Sequence, residues 1–192
     1  MEPQTEPFPH LILGIDPGTT VMGYGLLSVA DRKKAELLTL GTIEFKGCAT
    51  HYDKLHRIFE RVCEIIEEYH PDVLSIEAPF FGKNVQSMLK LGRAQGVAMA
   101  AALHYNLPVH EYSPLKIKMA ITGSGGASKE QVADMLRRML HIPNEKLHIK
   151  LDATDALGAA YCHFLQLKNP IADKPYKNWK DFIAKNEERI KK

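Results

Sequence analysis

Four acidic residues stand where a chain seldom leaves a charge without a reason. Asp16 ends the apolar run Leu11-Ile-Leu-Gly-Ile15 and is followed at once by Pro17 and Gly18. Glu77 ends a second apolar run, Val73-Leu-Ser-Ile76, and Pro79 breaks the chain just beyond it. Asp152 and Asp155 are three residues apart at the head of a helical stretch, a spacing that puts both side chains on one helix face. Each has an ordinary explanation when taken alone. Asp16 suits an Asx-type turn, and Asp152 and Asp155 suit an N-cap and a first helical turn. Two strands that each deliver an acid at a break argue for a shared purpose. Four carboxylates in one place repel one another and would take up protons. A pair of divalent cations removes that conflict, and hard oxygen ligands select Mg²⁺ or Mn²⁺. Two such ions, about 3.5–4 Å apart, activate a water and stabilise the leaving oxygen of a phosphodiester.

Competing chemistries find no support. Cys48, Cys63 and Cys162 form no CxxC pair, so neither a zinc site nor a disulfide framework is indicated, and a reducing cytoplasm is the expected setting. Thr122-Gly-Ser-Gly-Gly-Ala127 lacks the Gly-Lys-Ser/Thr ending of a P-loop. No Ser-His pairing is marked out for nucleophilic catalysis. The net charge of the 192 residues is only +2, so a nucleic-acid surface must be a local basic patch. The polar, acidic start is no signal peptide, and no apolar run is long enough to span a membrane.

The elements that must carry the acids follow from periodicity. After a loose leader, residues 1 to 9, the spacing predicts a strand, a tight turn, and an antiparallel partner over Val21 to Leu27. Leu37 to Phe45 reads as a third strand, with a slip at Gly41-Thr42 that suits a bulge. His51 to His70 is amphipathic, with Leu55, Ile58, Phe59, Val62, Ile65, Ile66 and Tyr69 on one face, and Pro71 stops it. This helix should cover one face of the sheet. The Glu77 strand, a long helix over Val85 to Tyr105, and a short strand over Leu107 to Tyr112 come next. Pro114 to Ile121 is a short helix carrying Lys116 and Lys118. Ser128 with Gln131 forms a capping box that opens a helix running to Leu140. The small residues Ala156-Leu-Gly-Ala-Ala160 let the last helix lie close to the sheet, which brings Asp152 and Asp155 to the rim. The order points to an α/β fold with a mixed five-stranded sheet. Gly92, Gly96 and Ala100 make a smooth stripe on the long helix, for packing on the protein's own sheet or for a helix–helix dimer contact.

Four segments then resemble a known family. They are Leu-Gly-Ile-Asp-Pro-Gly-Thr-Thr with Gly-Tyr-Gly, Ile-Glu-Ala-Pro-Phe-Phe-Gly-Lys-Asn, Leu-Lys-Leu-Gly-Arg-Ala-Gln-Gly-Val, and Asp-Ala-Thr-Asp-Ala-Leu, in this order. Together they are similar to the RuvC family of Holliday-junction resolvases, over about residues 10 to 165. The resemblance implies an RNase H-like fold over 10–166, with 167–192 as a basic C-terminal extension. It implies a homodimeric, Mg²⁺-dependent endonuclease, with Mn²⁺ able to substitute and two ions per site, that nicks opposing strands of a four-way junction symmetrically in recombination and repair. A branch-migration motor of the RuvA–RuvB type is the implied partner. The family's catalytic and metal-binding acids fall on Asp16, Glu77, Asp152 and Asp155. Some relatives place a His at the position of Asp152, and His148 is not that residue. The aromatic that stacks near the junction centre matches Phe80, whose ordinary role would be core packing, and which of Phe80 and Phe81 faces DNA stays open; Lys83, Lys118 and Lys129 match basic positions near the DNA backbone. Lys90 and Arg93 are further candidates. The tail from Lys168, with Trp179 and Phe182 among its lysines, is either a solvated helix docked on the body or an accessory DNA arm.

Two rival readings remain open at the level of sequence. Gly-Ile-Asp-Pro-Gly-Thr-Thr also resembles the first phosphate loop of actin-like ATPases and sugar kinases, which need a second lobe and a second Asp-Gly loop that this sequence does not show. A non-catalytic junction binder is the other, and the presence of all four acids argues against it.

Overall fold

The computed structural model describes residues 10–30, 34–79, 84–142 and 151–168. Five strands and five helices follow in chain order: β1 (Leu11–Asp16), β2 (Val21–Val29), β3 (Ala35–Glu44), α1 (His51–Tyr69), β4 (Val73–Glu77), α2 (Val85–His104), β5 (Val109–Tyr112), α3 (Pro114–Thr122), α4 (Lys129–Met139) and α5 (Leu151–Lys168). The sheet order is β3-β2-β1-β4-β5. The first three strands form an antiparallel meander, while β4 runs parallel to β1 and β5 parallel to β4. This is the mixed, five-stranded arrangement of an RNase H-like fold.

Alternation along the strands assigns each face. Leu13 and Ile15 of β1, Met22 and Leu26 of β2, and Leu74 and Ile76 of β4 pack against α1 and α2. Ile12, Leu27 and Val73 face the other way, into a core with α3, α4 and α5. Successive strand residues point to opposite faces. Asp16 therefore follows Ile12 and Gly14 onto the α5 face, and Glu77 follows Val73 and Ser75 onto it as well.

Local signals place the helices. Ser128 and Gln131 form the expected capping box of α4, and Thr50 and Asp53 form another that starts α1. Pro114 occupies the first turn of α3 behind the N-cap Ser113, and Gly123 closes that helix at φ 75°. One expectation is corrected. Pairing runs unbroken through Tyr24↔Gly41 and Gly23↔Thr42, and the register shifts instead between Leu26 and Leu27, leaving Leu38 as the extra residue. Gly41 is small for another reason: a Cβ there would lie 2.6 Å from the Tyr24 hydroxyl. The leader, residues 169–192 of the C-terminal extension, Phe80, Phe81 and Lys83 lie outside the described residues, and the first two residues of the extension continue α5. No helix among the described residues is long and apolar enough to cross a membrane.

Candidate active site

Two parallel strand ends supply the first pair of acids. Ile15 pairs with Ile76, so Asp16 and Glu77 are the next residues on neighbouring strands. Parallel neighbours lie about 4.8 Å apart, close enough for two carboxylates on one face to interact strongly. The β1–β2 turn is fixed from behind, because Lys54 Nζ of α1 donates to the Thr19 carbonyl at 2.9 Å. The exit of β4 is held by Gln95, which is 7% exposed. Its Nε2 donates to the Glu77 carbonyl at 3.4 Å and to Glu111 Oε1 at 3.2 Å. The Ser75 hydroxyl donates to the Ala159 carbonyl at 2.7 Å and ties β4 to α5. Neither composition nor spacing marks Gln95 or Ser75 as a site residue. Gln95 carries one signal, its place in the Leu-Gly-Arg-Ala-Gln-Gly segment.

The second pair arrives on α5, which lies against the sheet on a floor of glycines. A Cβ at Gly14 would sit 2.1 Å from the Ala156 carbonyl oxygen, one at Gly23 would sit 1.9 Å from that of Asp152, and one at Gly25 would sit 3.1 Å from the Leu157 Cα. Gly23 pairs with Asp16 across β1 and β2. The first turn of α5 therefore rests on the residue beside Asp16. Asp152 is the second helical residue, not the N-cap, and Asp155 follows one turn later on the same side. The four sequence-predicted acids thus share one rim.

The electrostatics show that they feel one another. Burial pushes the Asp16 carboxyl up to about 8, with Glu77, Asp155 and Asp152 adding like-charge repulsion and Lys129 opposing it. Glu77 rises to about 7 through burial first and Asp155 second, against Lys129 and Lys118. Burial raises Asp155 as well. No hydrogen bond to the Asp16 carboxylate occurs among the described residues. Lys129, at the start of α4, is ion-paired with Asp155. Its ammonium is seated among the carboxylates, and Lys118 of α3 stands close enough to act on Glu77 and Asp155. Among the described residues no three His, Cys, Asp or Glu side chains are gathered tightly enough to enclose a metal ion. The donor set itself, four carboxylate side chains with no thiolate or imidazole, suits a hard divalent ion.

Comparison with known proteins gives the family. The family model for crossover junction endodeoxyribonuclease RuvC matches residues 12–163. The chain belongs to the RuvC family. A RuvC from Bacteroides fragilis is 65% identical over 181 residues, covering 94% of this chain and 96% of that protein. One from Porphyromonas gingivalis is 53% identical and covers 96% of this chain and 99% of its own. Among solved structures, T. thermophilus RuvC in complex with a Holliday junction substrate superposes with a TM-score of 0.76 at 31% identity, covering 83% of this chain and 95% of that one. The yeast mitochondrial resolvase Ydc2, at a TM-score of 0.62 and 15% identity, shares the fold. The RuvC assignment makes the chain a nuclease, a crossover junction endodeoxyribonuclease, and removes the ATPase and sugar-kinase reading.

One of two alternatives for α2 is also settled. Its sheet-facing side consists of Ala94, Ala98, Ala101 and Ala102. Gly92, Gly96 and Ala100 are exposed, and a Cβ at Gly92 or Gly96 would meet nothing within 4 Å. Packing on the protein's own sheet is therefore not what the stripe serves.

Proposed function

We propose that this RuvC-family chain resolves Holliday junctions as a homodimer, in the cytoplasm, by symmetric paired nicks that depend on Mg²⁺, with Mn²⁺ able to substitute. The observation that carries the reading is the convergence of Asp16, Glu77, Asp152 and Asp155 from two parallel strand ends and one helix. Two ions held by these four side chains would supply Lewis acidity at the scissile phosphate and a more acidic attacking water. The chain does the rest. To hold such ions Asp16 and Glu77 would have to be ionised, against the burial that raises both carboxyls. Lys118 and Lys129 hold the phosphate backbone beside them. A branch-migration motor of the RuvA–RuvB type would deliver the junction. A nicking assay comparing a four-way junction with linear duplex, with and without Mg²⁺, tests the whole reading: cutting confined to the junction and to Mg²⁺ or Mn²⁺ is expected, and equal cutting of duplex would overturn it.

The two lysines give a salt-dependence prediction. A cation that neutralises one phosphate contributes about one unit to the slope of log K against log salt. Replacing Lys118 and Lys129 by Ala should flatten the slope for junction binding by up to about two units per subunit. An unchanged slope in a filter-binding titration reduces both to ordinary surface charges.

The outer face of α2 is the proposed dimer seam. Val85 is 67% exposed, Leu89 52% and Leu103 61%, and they continue the Gly92–Gly96–Ala100 line at steps of three and four. A coherent apolar stripe of this kind fits a second copy of the helix. Gly96→Leu has room in the single chain, and it replaces a poor helix former at a gain of up to about 1 kcal/mol. It should leave the fold intact yet shift sedimentation towards monomer and uncouple the two incisions. A dimer unchanged in sedimentation would remove α2 from the interface.

For Phe80 and Lys83 the support is the family resemblance. Phe80 is assigned to stacking on an unpaired base, worth about 1–3 kcal/mol per base, and Lys83 to the DNA backbone. Phe80→Ala should slow junction cleavage about tenfold or more, at about 1.4 kcal/mol per decade, with little change in melting temperature. A stability loss of about 3–5 kcal/mol instead would make Phe80 a core residue.

A further inference from the structure

One buried polar pair stands outside the carboxylate rim, yet it joins the elements that carry the acids. The Tyr112 hydroxyl lies 2.7 Å from His163 Nδ1. Tyr112 is 7% exposed and His163 3%. Burial keeps both side chains neutral. It pushes the Tyr112 hydroxyl up to about 12, with Cys162 adding to it, and holds the His163 imidazole down to about 4, with His110 second. The phenol hydrogen is matched when it donates to the Nδ1 lone pair. Rings crowd the imidazole on the β5 side: the His110 centroid is 4.4 Å away and that of Tyr112 5.9 Å. In such surroundings a polar atom left without its partner is costly.

Each end of this bond is fixed to part of the site. Asp155, Ala159 and His163 follow one another at steps of four along α5, so they stack turn upon turn. Tyr112 is the last residue of β5 and stands in register with Glu77. Its carbonyl accepts from the Ala78 amide at 2.9 Å, where β4 ends. The next residue, Ser113, caps α3, the helix of Lys118. Strand β5 has four residues and lies at the sheet edge, paired on one side only. Its ladder is short, so a side-chain tie to α5 carries weight in placing its end. We propose that His163 is a positioning residue for nicking: through Tyr112 it fixes the end of β5, and with it Glu77 and α3, against the helix that bears Asp152 and Asp155. The inference rests on the nicking reading above. Without the bond, Glu77 and Asp155 no longer keep a set separation, although neither has lost a contact of its own.

The test uses the full chain and measures junction cutting and junction binding separately, below every melting midpoint. Tyr112→Phe removes the hydroxyl alone, and His163→Leu removes the acceptor but keeps an apolar body. His163→Asn retains an acceptor oxygen near the place of Nδ1. Val62→Ala weakens the core on the opposite face of the sheet and leaves the bond intact. At saturating junction and Mg²⁺, Tyr112→Phe and His163→Leu should cut about tenfold or more slowly than Val62→Ala, the scale of a misplaced reacting group. Their junction affinity should stay within about twofold of the wild type, and His163→Asn should cut within about threefold of it. The double variant Tyr112→Phe with His163→Leu leaves no polar atom unpaired, so its melting temperature should exceed that of either single variant. Its cutting should remain slow. Cutting that recovers together with the melting temperature in the double variant overturns the positioning role. So do equal losses in His163→Asn and His163→Leu, or single variants that cut at the Val62→Ala rate. A wild-type chain that cuts no junction overturns the nicking reading and this inference with it. Tyr112→Phe changes one atom, so it keeps the test decisive if His163→Leu fails to fold.

Discussion

Asp16→Asn should cut four-way junctions at least about 10³-fold more slowly than the wild-type chain, a barrier increase of about 4 kcal/mol at 1.36 kcal/mol per decade. The substitution removes a carboxylate from the middle of the site while keeping its shape. Junction affinity should stay the same or rise, because one negative charge facing DNA is gone. The variant carries a second signature in the metal-free protein. Burial and its acidic neighbours raise Asp16 from 3.8 to about 8, and Glu77 rises from 4.5 to about 7. Across that window the folded chain keeps protons that the unfolded chain has released. Stability of the metal-free protein must therefore fall as pH climbs from about 4 to about 8. Asn at position 16 carries no charge to bury, so the fall should be shallower. At pH 8 the melting temperature should exceed that of the wild type by at least about 2 °C, since about 1 kcal/mol moves a domain of this size by 2–4 °C. Nicking at a near wild-type rate would sink the metal-site reading. A lower melting temperature at pH 8 would show that Asp16 serves the turn.

Gly23→Ala tests the support beneath the acids. The added Cβ would fall 1.9 Å from the Asp152 carbonyl oxygen, a backbone atom with no flexible end to swing away. Either the first turn of α5 lifts or β2 shifts. Overpacking of this kind costs about 1–3 kcal/mol, which should lower the melting temperature by several degrees. The larger effect should be on cutting, since Asp152 and Asp155 move with the turn. Misplacement of reacting groups by about 1 Å can cost about 10²-fold, and a loss of that order is expected at saturating junction and Mg²⁺. Gly96→Ala is the control: its Cβ meets nothing, so its stability should hold or improve. A Gly23→Ala protein that melts and cuts like the wild type would refute the glycine-floor account of how α5 reaches the site.

Much of this molecule is legible in its amino-acid order. The breaks after Asp16 and Glu77 mark strand ends because proline and glycine follow at once, and the α1 periodicity and the Ser128–Gln131 box are local signals that need no partner. The spacing of Asp152 and Asp155 gives a shared helix face for the same reason. The bulge is not where Gly41-Thr42 suggests, because Gly41 is small to fit under Tyr24, a cross-strand neighbour, and not to break the ladder. Which face of the sheet Asp16 and Glu77 take is also hidden in the sequence. Strands β1 and β4 are apolar on both sides, so alternation leaves no mark until α1 and α2 are seen on one face and α5 on the other. The outward aim of Gly92 and Gly96 is undecided by sequence for a similar reason, since a small-residue stripe reads alike whether it meets the sheet or solvent. Tertiary structure alone decided that Gly14, Gly23 and Gly25 form the bed for α5, and that Lys129 reaches Asp155 across 26 residues of chain. These are contacts between atoms far apart in sequence, set by the packing of one surface on another, and no local periodicity encodes them.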